Sequence, residues 1–388
     1  MRKRITVLLI SILALAALIL AGGCGSASQA GDTINIGAVL DISGSSSSLG
    51  IPERDTLQML ADQLNAKGGI NGRQVNLVVL DNKSEETESV LAVKKLIDQE
   101  KVVAIIGSSA SGTSLAMVDT VQKEGVPLIS LATNSKIVEP VSERKWVFKM
   151  AQSDAIVAGG MIEYAKAKGI EKIAVLYMNN AYGDGGQKAL VQAAADNGIS
   201  VVLQDKFEAT DKEMSAQLAK IKNSDAQAVM VWAIPPSASI VTRNYRELAL
   251  SIPMIHSHGI ANQSFLDLAG EAANGIEFPV GKIVVADQLP DTDPQKQALV
   301  SYTTDFTAKY NTPPSTFGGH AWDAFNMLVK AIEDAGTDRT KIRDSLENTK
   351  NFVGISGVFN MSETDHNGLD SSCMVMVTVK DGKWVLIK

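Results

Sequence analysis

Residues 102–117 read VVAIIGSSASGTSLAM. The run VVAIIG (102–107) is apolar without polar alternation, the pattern of a strand covered on both faces by helices, as parallel sheets are. The hydroxyls and glycine that follow, Gly107 to Ser114, fit a strand end leading into a helix N-terminus. Similar units flank this one. Strands are expected at INIGAVL (34–40), VNLVVLD (75–81) and VPLIS (126–130), then at KIAVLYM (172–178), SVVLQDKF (200–207), AVMVWAI (228–234) and PMIHSH (253–258). Between them lie helical patterns such as PERDTLQMLADQLNA, EETESVLAVKKLIDQ and GQKALVQAAADNG. Alternation of this kind means βαβ units. Two series separated by the turn-rich 131–145 region predict two α/β lobes of similar design. Lys67-Gly68-Gly69 and Lys168-Gly169 place glycine just past a last turn, where helix ends favour it. Helices are also expected over roughly 294–310 and 317–335, and CMVMVTVKDGKWVLI reads as a hairpin turning at Asp381-Gly382.

The start of the chain is set apart from this pattern. Arg2, Lys3 and Arg4 precede an apolar run from Ile5 to Leu20, and Ala21-Gly22-Gly23 leads into Cys24. The run is short for a membrane span and ends in small residues, so 1–23 is read as a signal peptide. The sequence around Cys24 resembles the lipobox of bacterial lipoproteins, which implies acylation of Cys24, a tether over 24–32 and attachment to a membrane through N-terminal lipid. The alternative is an ordinary secretory signal with an incidental cysteine. Without the three leader cations, the net charge of −7 becomes about −10, which argues against a nucleic-acid partner. Of the two cysteines only Cys373 then remains, so no disulfide is expected and Cys373 reads as a small buried apolar residue. The length left suggests two domains.

Motifs for chemistry are weak. The chain has four histidines, and His256 and His258 stand two apart on an expected strand. They are read as pointing to opposite sides and so as unable to share a metal, with His256 structural. His320 and His366 lie far off in sequence, and no metal site or cofactor is expected. A serine hydrolase would need a nucleophile elbow. SSASG (108–112) and SGSSSS (43–48) have its composition but not its spacing. GDGG (183–186) likewise lacks the spacing of a phosphate loop. Sites in parallel α/β sheets form at the carboxyl ends of strands. There the sequence offers SSASGTS, LATNS, NNAYGDGG, WAIPPSAS and HGIAN: hydroxyls, amides and glycines with few charges. That composition suits recognition better than reaction. Gly107 to Ser114 suits a carboxylate at a helix N-terminus, or simple capping by Ser111 or Thr113.

INIGAVLDISGSSSSLG, NAKGGINGRQVNLVVLDN, VVAIIGSSASGTSLAM, EGVPLISLATNS, VLYMNNAYGDGG and STFGGHAWDAF together resemble the branched-chain-amino-acid class of periplasmic binding proteins of ABC importers. The resemblance covers essentially the whole mature chain. It implies two Rossmann-like lobes joined by a three-crossover hinge, the type I periplasmic binding protein fold. The first lobe would comprise 33–152 plus 283–352, and the second 153–282 plus 353–388. It implies a non-enzymatic protein that closes on a small ligand and delivers it to an ABC permease and its ATPase. Ser111, with Gly112 beside it, would bind the ligand carboxylate. Ala132, Thr133 and Asn134 would contact carboxylate and ammonium, and Tyr182 would close from the second lobe.

Three positions depart from the family pattern. Leu49 stands where an aromatic often precedes a glycine, Ile234 replaces a tyrosine, and His258 aligns with the acid that pairs with an amino-acid ammonium. An imidazole is no counter-ion to an ammonium group. With Trp232 nearby, the expected ligand is a small hydrophobic carboxylate: a branched-chain or other hydrophobic amino acid, or an aromatic or aliphatic acid. A ligand sensor of the same fold, or a lipid-anchored serine hydrolase using His258 or His320, are the alternatives.

Overall fold

The computed structural model describes residues 33–387. The expected leader, Cys24 and the tether lie outside the described residues. The first lobe opens with β1 (Ile34–Leu40), α1 (Ser47–Ala66), β2 (Val75–Asp81), α2 (Glu86–Asp98), β3 (Ala104–Gly107), α3 (Ser111–Glu124), β4 (Leu128–Ser130) and β5 (Val147–Lys149). Its five strands are parallel in the order β2-β1-β3-β4-β5. Both faces of this sheet are covered, which explains the unbroken apolar strands. On β1, Ile36, Ala38 and Leu40 join the core under α1, while Val39 points into the opposite core with Val93 and Leu96 of α2 and Met117 and Val121 of α3. Alternation is present in the geometry although it is invisible in the sequence.

The second lobe follows with α4 (Asp154–Ala167), β6 (Lys172–Met178), α5 (Ala181–Asp196), β7 (Ser200–Phe207), α6 (Ser215–Lys222), β8 (Ala228–Trp232), α7 (Ser237–Glu247), β9 (Met254–His256), α8 (Gln263–Ala269) and β10 (Glu277–Gly281). The chain then gives α9 (Lys296–Tyr310), α10 (Thr316–Ala335) and α11 (Arg339–Glu347) back to the first lobe, where Leu299, Leu328, Ile332 and Ile342 pack with Leu57 of α1. After the short pair β11 (Phe352–Val353) and β12 (Val358–Phe359), the hairpin β13 (Met374–Lys380) and β14 (Lys383–Leu386) completes the second sheet. That sheet runs β14-β13-β10-β9-β8-β6-β7, with only the β13 and β14 pairings antiparallel. Asp381 and Gly382 both have positive φ, 50° and 69°, as the tight turn of such a hairpin requires.

The structure differs from the sequence expectation at the third crossover. Ile355, Phe359, Met361 and buried Cys373 belong to the core of the first lobe, so the chain crosses at Cys373–Met374 and not at 353. His366 and Asn367 fasten this segment to the edge strand β5. The Lys149 amide donates to the carbonyl of His366 at 3.0 Å, and His366 Nδ1 lies 2.8 Å from the carbonyl of Val147. Asn367 Nδ2 donates to the carbonyls of Lys149 and Ala151 at 3.1 and 3.0 Å, while its Oδ1 accepts from Lys149 Nζ. Strands β5 and β10 also went unanticipated. The first is three residues long, and the second carries Pro279, which lacks the N–H a ladder uses.

Asn367→Ala removes three buried hydrogen bonds and leaves two carbonyls without these donors. It should lower unfolding free energy by about 2–3 kcal/mol, read from the midpoint of chemical denaturation with unchanged slope.

Candidate functional site

The two sheets present their carboxyl ends to a common cleft. From the first lobe, the β3–α3 junction brings Ser111 and Gly112, and the loop after β4 brings Leu131, Ala132 and Thr133. From the second, the loop after β6 brings Asn180 and the first turn of α5 brings Tyr182, the loop after β8 brings Ile234, and that after β9 brings His258 and Gly259. Leu49 of α1 and Phe317 and His320 of α10 complete the wall of a cavity of about 240 Å³. Leu49, Ser111, Gly112, Ala132, Thr133, Tyr182, Ile234 and His258 therefore stand together on this wall.

Asn134 and Trp232 do not line the cavity. Asn134 is a lobe fastener: its Nδ2 donates to the carbonyl of Ala181 at 2.6 Å, and its Oδ1 accepts from the amide of Lys136 at 2.9 Å. Trp232 is still within β8 and fully buried, with its ring 5.7 Å from Tyr182 and 6.4 Å from His258. It backs the wall, whereas Ile234 lies beyond the strand end and reaches it. Phe317 and His320 were not singled out as binding residues. Their i, i+3 spacing on α10, which puts both on one helix face, was the available signal.

His258 spans the cleft. Its Nε2 hydrogen-bonds Thr133 Oγ1 at 3.0 Å, and its Nδ1 is buried with no partner among the described residues. Burial pushes its pKa down to about 3, with the Lys149 ammonium adding to the effect, so the imidazole is neutral. His256 takes no part. Its Nε2 meets Thr242 Oγ1 at 3.1 Å and Met254 Sδ at 3.2 Å, and its ring packs on Phe265. On an unbroken strand, residues two apart would share a face. These two separate because β9 ends at His256 and the chain turns into a short 3₁₀ helix at His258.

Ser111 opens α3 and is buried, yet its Oγ also has no partner among the described residues. No side chain caps this helix. Thr113 instead gives its hydroxyl to Asp41 Oδ1 at 3.1 Å and to the carbonyl of Ala110 at 3.0 Å. Asp41 also accepts from Ser108 Oγ and Asn82 Nδ2, and burial holds its pKa above the usual range despite those donors. Ser109 donates to Glu53, whose full burial raises its pKa well above normal. His320 Nδ1 bonds Ser356 Oγ at 2.7 Å, and burial pushes it down to about 3, with His258 and Lys149 adding. No serine of the 108–114 segment hydrogen-bonds a histidine among the described residues, so the loop offers no base-activated nucleophile.

A family model described as periplasmic binding protein matches residues 33–383. The chain belongs to the periplasmic binding protein family. Members are solute-binding proteins, not enzymes, and the fold is type I. One relative is the leucine-, isoleucine-, valine-, threonine- and alanine-binding protein of Pseudomonas aeruginosa, 27% identical over 330 residues that cover 84% of each chain. Among solved structures, the branched-chain amino acid transporter substrate binding protein LivJ from Streptococcus pneumoniae, in complex with isoleucine, is 29% identical with a TM-score of 0.81. The match covers 91% of this chain and 98% of that one. An extracellular ligand-binding receptor from Rhodopseudomonas palustris gives a TM-score of 0.86 at 27% identity, covering 92% and 100%. No helix of this binding protein, among the described residues, is long and apolar enough to cross a membrane.

The ring signals of His256, His258 and His320 should stay in the neutral form between pH 8 and 5 in an NMR titration. Each is lowered to about 3 by burial, whereas an unfolded imidazole protonates near 6.5. Between those values the unfolded chain binds more protons, so these three groups make stability fall as pH drops through that window. Asp323, raised to about 7 by burial, works in the opposite sense.

Proposed function

We propose that this periplasmic binding protein captures a small apolar solute bearing a carboxylate, a branched-chain or other hydrophobic amino acid or an aromatic or aliphatic acid, and hands it to an ABC permease and its ATPase. The observation that carries this reading is the pairing of Ser111 Oγ and His258 Nδ1. Both are buried and unpartnered among the described residues, and they belong to opposite lobes around one largely apolar cavity. The start of α3 adds the favourable end of a helix dipole beside Ser111. Leu49, Ala132, Ile234 and Phe317 supply the apolar contacts. At about 240 Å³ the cavity falls below the roughly 300–1,000 Å³ typical of drug-sized sites, which suits a solute of amino-acid size.

Binding of this kind needs no bond to be made or broken. Closing the lobes excludes water, and the cross-cleft bonds Thr133–His258 and Asn134–Ala181 hold the closed form, each for a net of about 0.5–1.5 kcal/mol. The likeness to LivJ, a branched-chain amino acid transporter substrate binding protein, supports transport as the setting. The lipobox-like sequence at Cys24 supports an extracytoplasmic protein, in the periplasm or on the outer face of the cell membrane, anchored by lipid at Cys24.

Two outcomes are expected. In a thermal-shift panel of apolar amino acids and short aliphatic or aromatic acids, the ligand that stabilises the protein should bind Ser111→Ala more weakly by about 1–3 kcal/mol. Equal affinity in that variant would remove Ser111 from the site. For the anchor, Cys24→Ala should move the protein from the membrane fraction to the soluble fraction on cell fractionation.

A further inference from the structure

Few ionisable groups line the cleft: Glu86, Tyr182, His258 and His320. Glu86 is exposed at the start of α2 and stands beside the first turn of α3, where a Cβ added to Gly112 would lie 2.6 Å from its Oε1. The buried part of the wall thus holds hydroxyls, backbone groups and two imidazoles, but no carboxylate. The acids behind the wall are engaged elsewhere. Asp41 takes the side chains of Ser108, Asn82 and Thr113; Glu53 takes the Ser109 hydroxyl; Asp154 takes the Ser135 amide at 3.2 Å. Asp154 and Glu53 each keep one oxygen without a partner among the described residues, but neither residue lines the cavity.

An ammonium group and a carboxylate fare differently in such a place. A carboxylate finds the free Ser111 hydroxyl, the helix N-terminus and, in the tautomer in which the Thr133 hydroxyl donates to Nε2, the N–H of His258 Nδ1. The α-ammonium of an amino acid loses its water and finds no opposite charge on the buried wall, which is costly in a dry site. Behind the wall, the Lys149 ammonium acts on His258 and His320, while its buried neighbour Asp154 acts with the opposite sign on Tyr182.

We infer that the cleft selects apolar carboxylates that carry no α-ammonium group. This rests on the proposed capture of a solute between the lobes, and narrows it. The 27% identity to the amino-acid-binding relative leaves ample scope for the wall to differ.

Calorimetry on the purified protein with pairs matched in shape tests it: 4-methylpentanoate against leucine, 3-methylbutanoate against valine, and 3-phenylpropanoate against phenylalanine. In at least one pair the acid should bind about 100-fold or more tightly than its amino partner. His258→Asp places a carboxylate in the wall and, where the variant melts as the parent does, should move the preference within that pair at least 10-fold toward the amino acid. If an amino acid binds the parent protein as well as its matched acid, the inference falls while solute capture stands. Loss of that binding in Glu86→Gln would then identify the rim glutamate as the ammonium partner. If none of the six compounds binds, the capture of an apolar carboxylate falls with it.

Discussion

The strands of a parallel sheet all end on one side, and the cleft exists because two such sheets turn those sides toward each other. Every connection that leaves a strand there must change direction within a few residues, which favours glycine, hydroxyl and amide side chains over bulky ones. In each lobe the strand order reverses once, between β1 and β3 and between β6 and β8, and the flanking loops diverge to leave room. Ser111 and Thr133 on one side, and Tyr182, Ile234 and His258 on the other, inherit their positions from this arrangement. The two sets of strand ends meet at the Thr133–His258 bond, 3.0 Å, and at the Asn134–Ala181 bond, 2.6 Å.

Much of this was legible because strand and helix periodicities differ and because the strands are buried on both faces. INIGAVL, KIAVLYM and SVVLQDKF became strands with the expected limits. Strand ends near the cleft were less legible. PMIHSH shortened to Met254–His256, and the change of direction there sends His258 into the cavity and leaves His256 beneath α7. Trp232 and Ile234 are separated by the same event at the end of β8. A side chain's destination at these places depends on where the ladder stops, which is a tertiary property. The crossover at Cys373–Met374 was hidden for a related reason. It is set by bonds between residues some 218 positions apart, such as Asn367 to Lys149, and no local pattern reports them.

Burial gives the histidines of the cleft a fixed role. His258 and His320, both close to fully buried and near Lys149, are held neutral, so neither can answer a negative ligand with a full charge. What remains is hydrogen bonding of fixed direction, in which one nitrogen donates and the other accepts. For His258 the contact with Thr133 occupies Nε2 and leaves Nδ1 as the nitrogen available to a ligand. The same hydrogen bond that draws the lobes together thus determines which atom the second lobe can offer.

A similar elimination applies to the Ser108–Ser114 segment, which is rich in hydroxyls but leaves few of them uncommitted. Ser108 gives its hydroxyl to Asp41, Ser109 to Glu53, and Thr113 to Asp41 and Ala110. Ser114 is held between the Ser108 backbone and Ser130 Oγ. The buried acids Asp41 and Glu53 therefore act as anchors for the loop that forms the wall, and they commit its hydroxyls in the process. Ser111 alone in the segment retains an uncommitted, buried hydroxyl, and it sits on the first turn of α3, where the helix favours negative charge. In the proposed capture, the carboxylate would meet one side-chain donor from this loop, held in a fixed place by the committed hydroxyls around it, with His258 facing it across the cleft. Recognition by a single oriented donor is what allows a loop of small residues to be selective rather than merely polar.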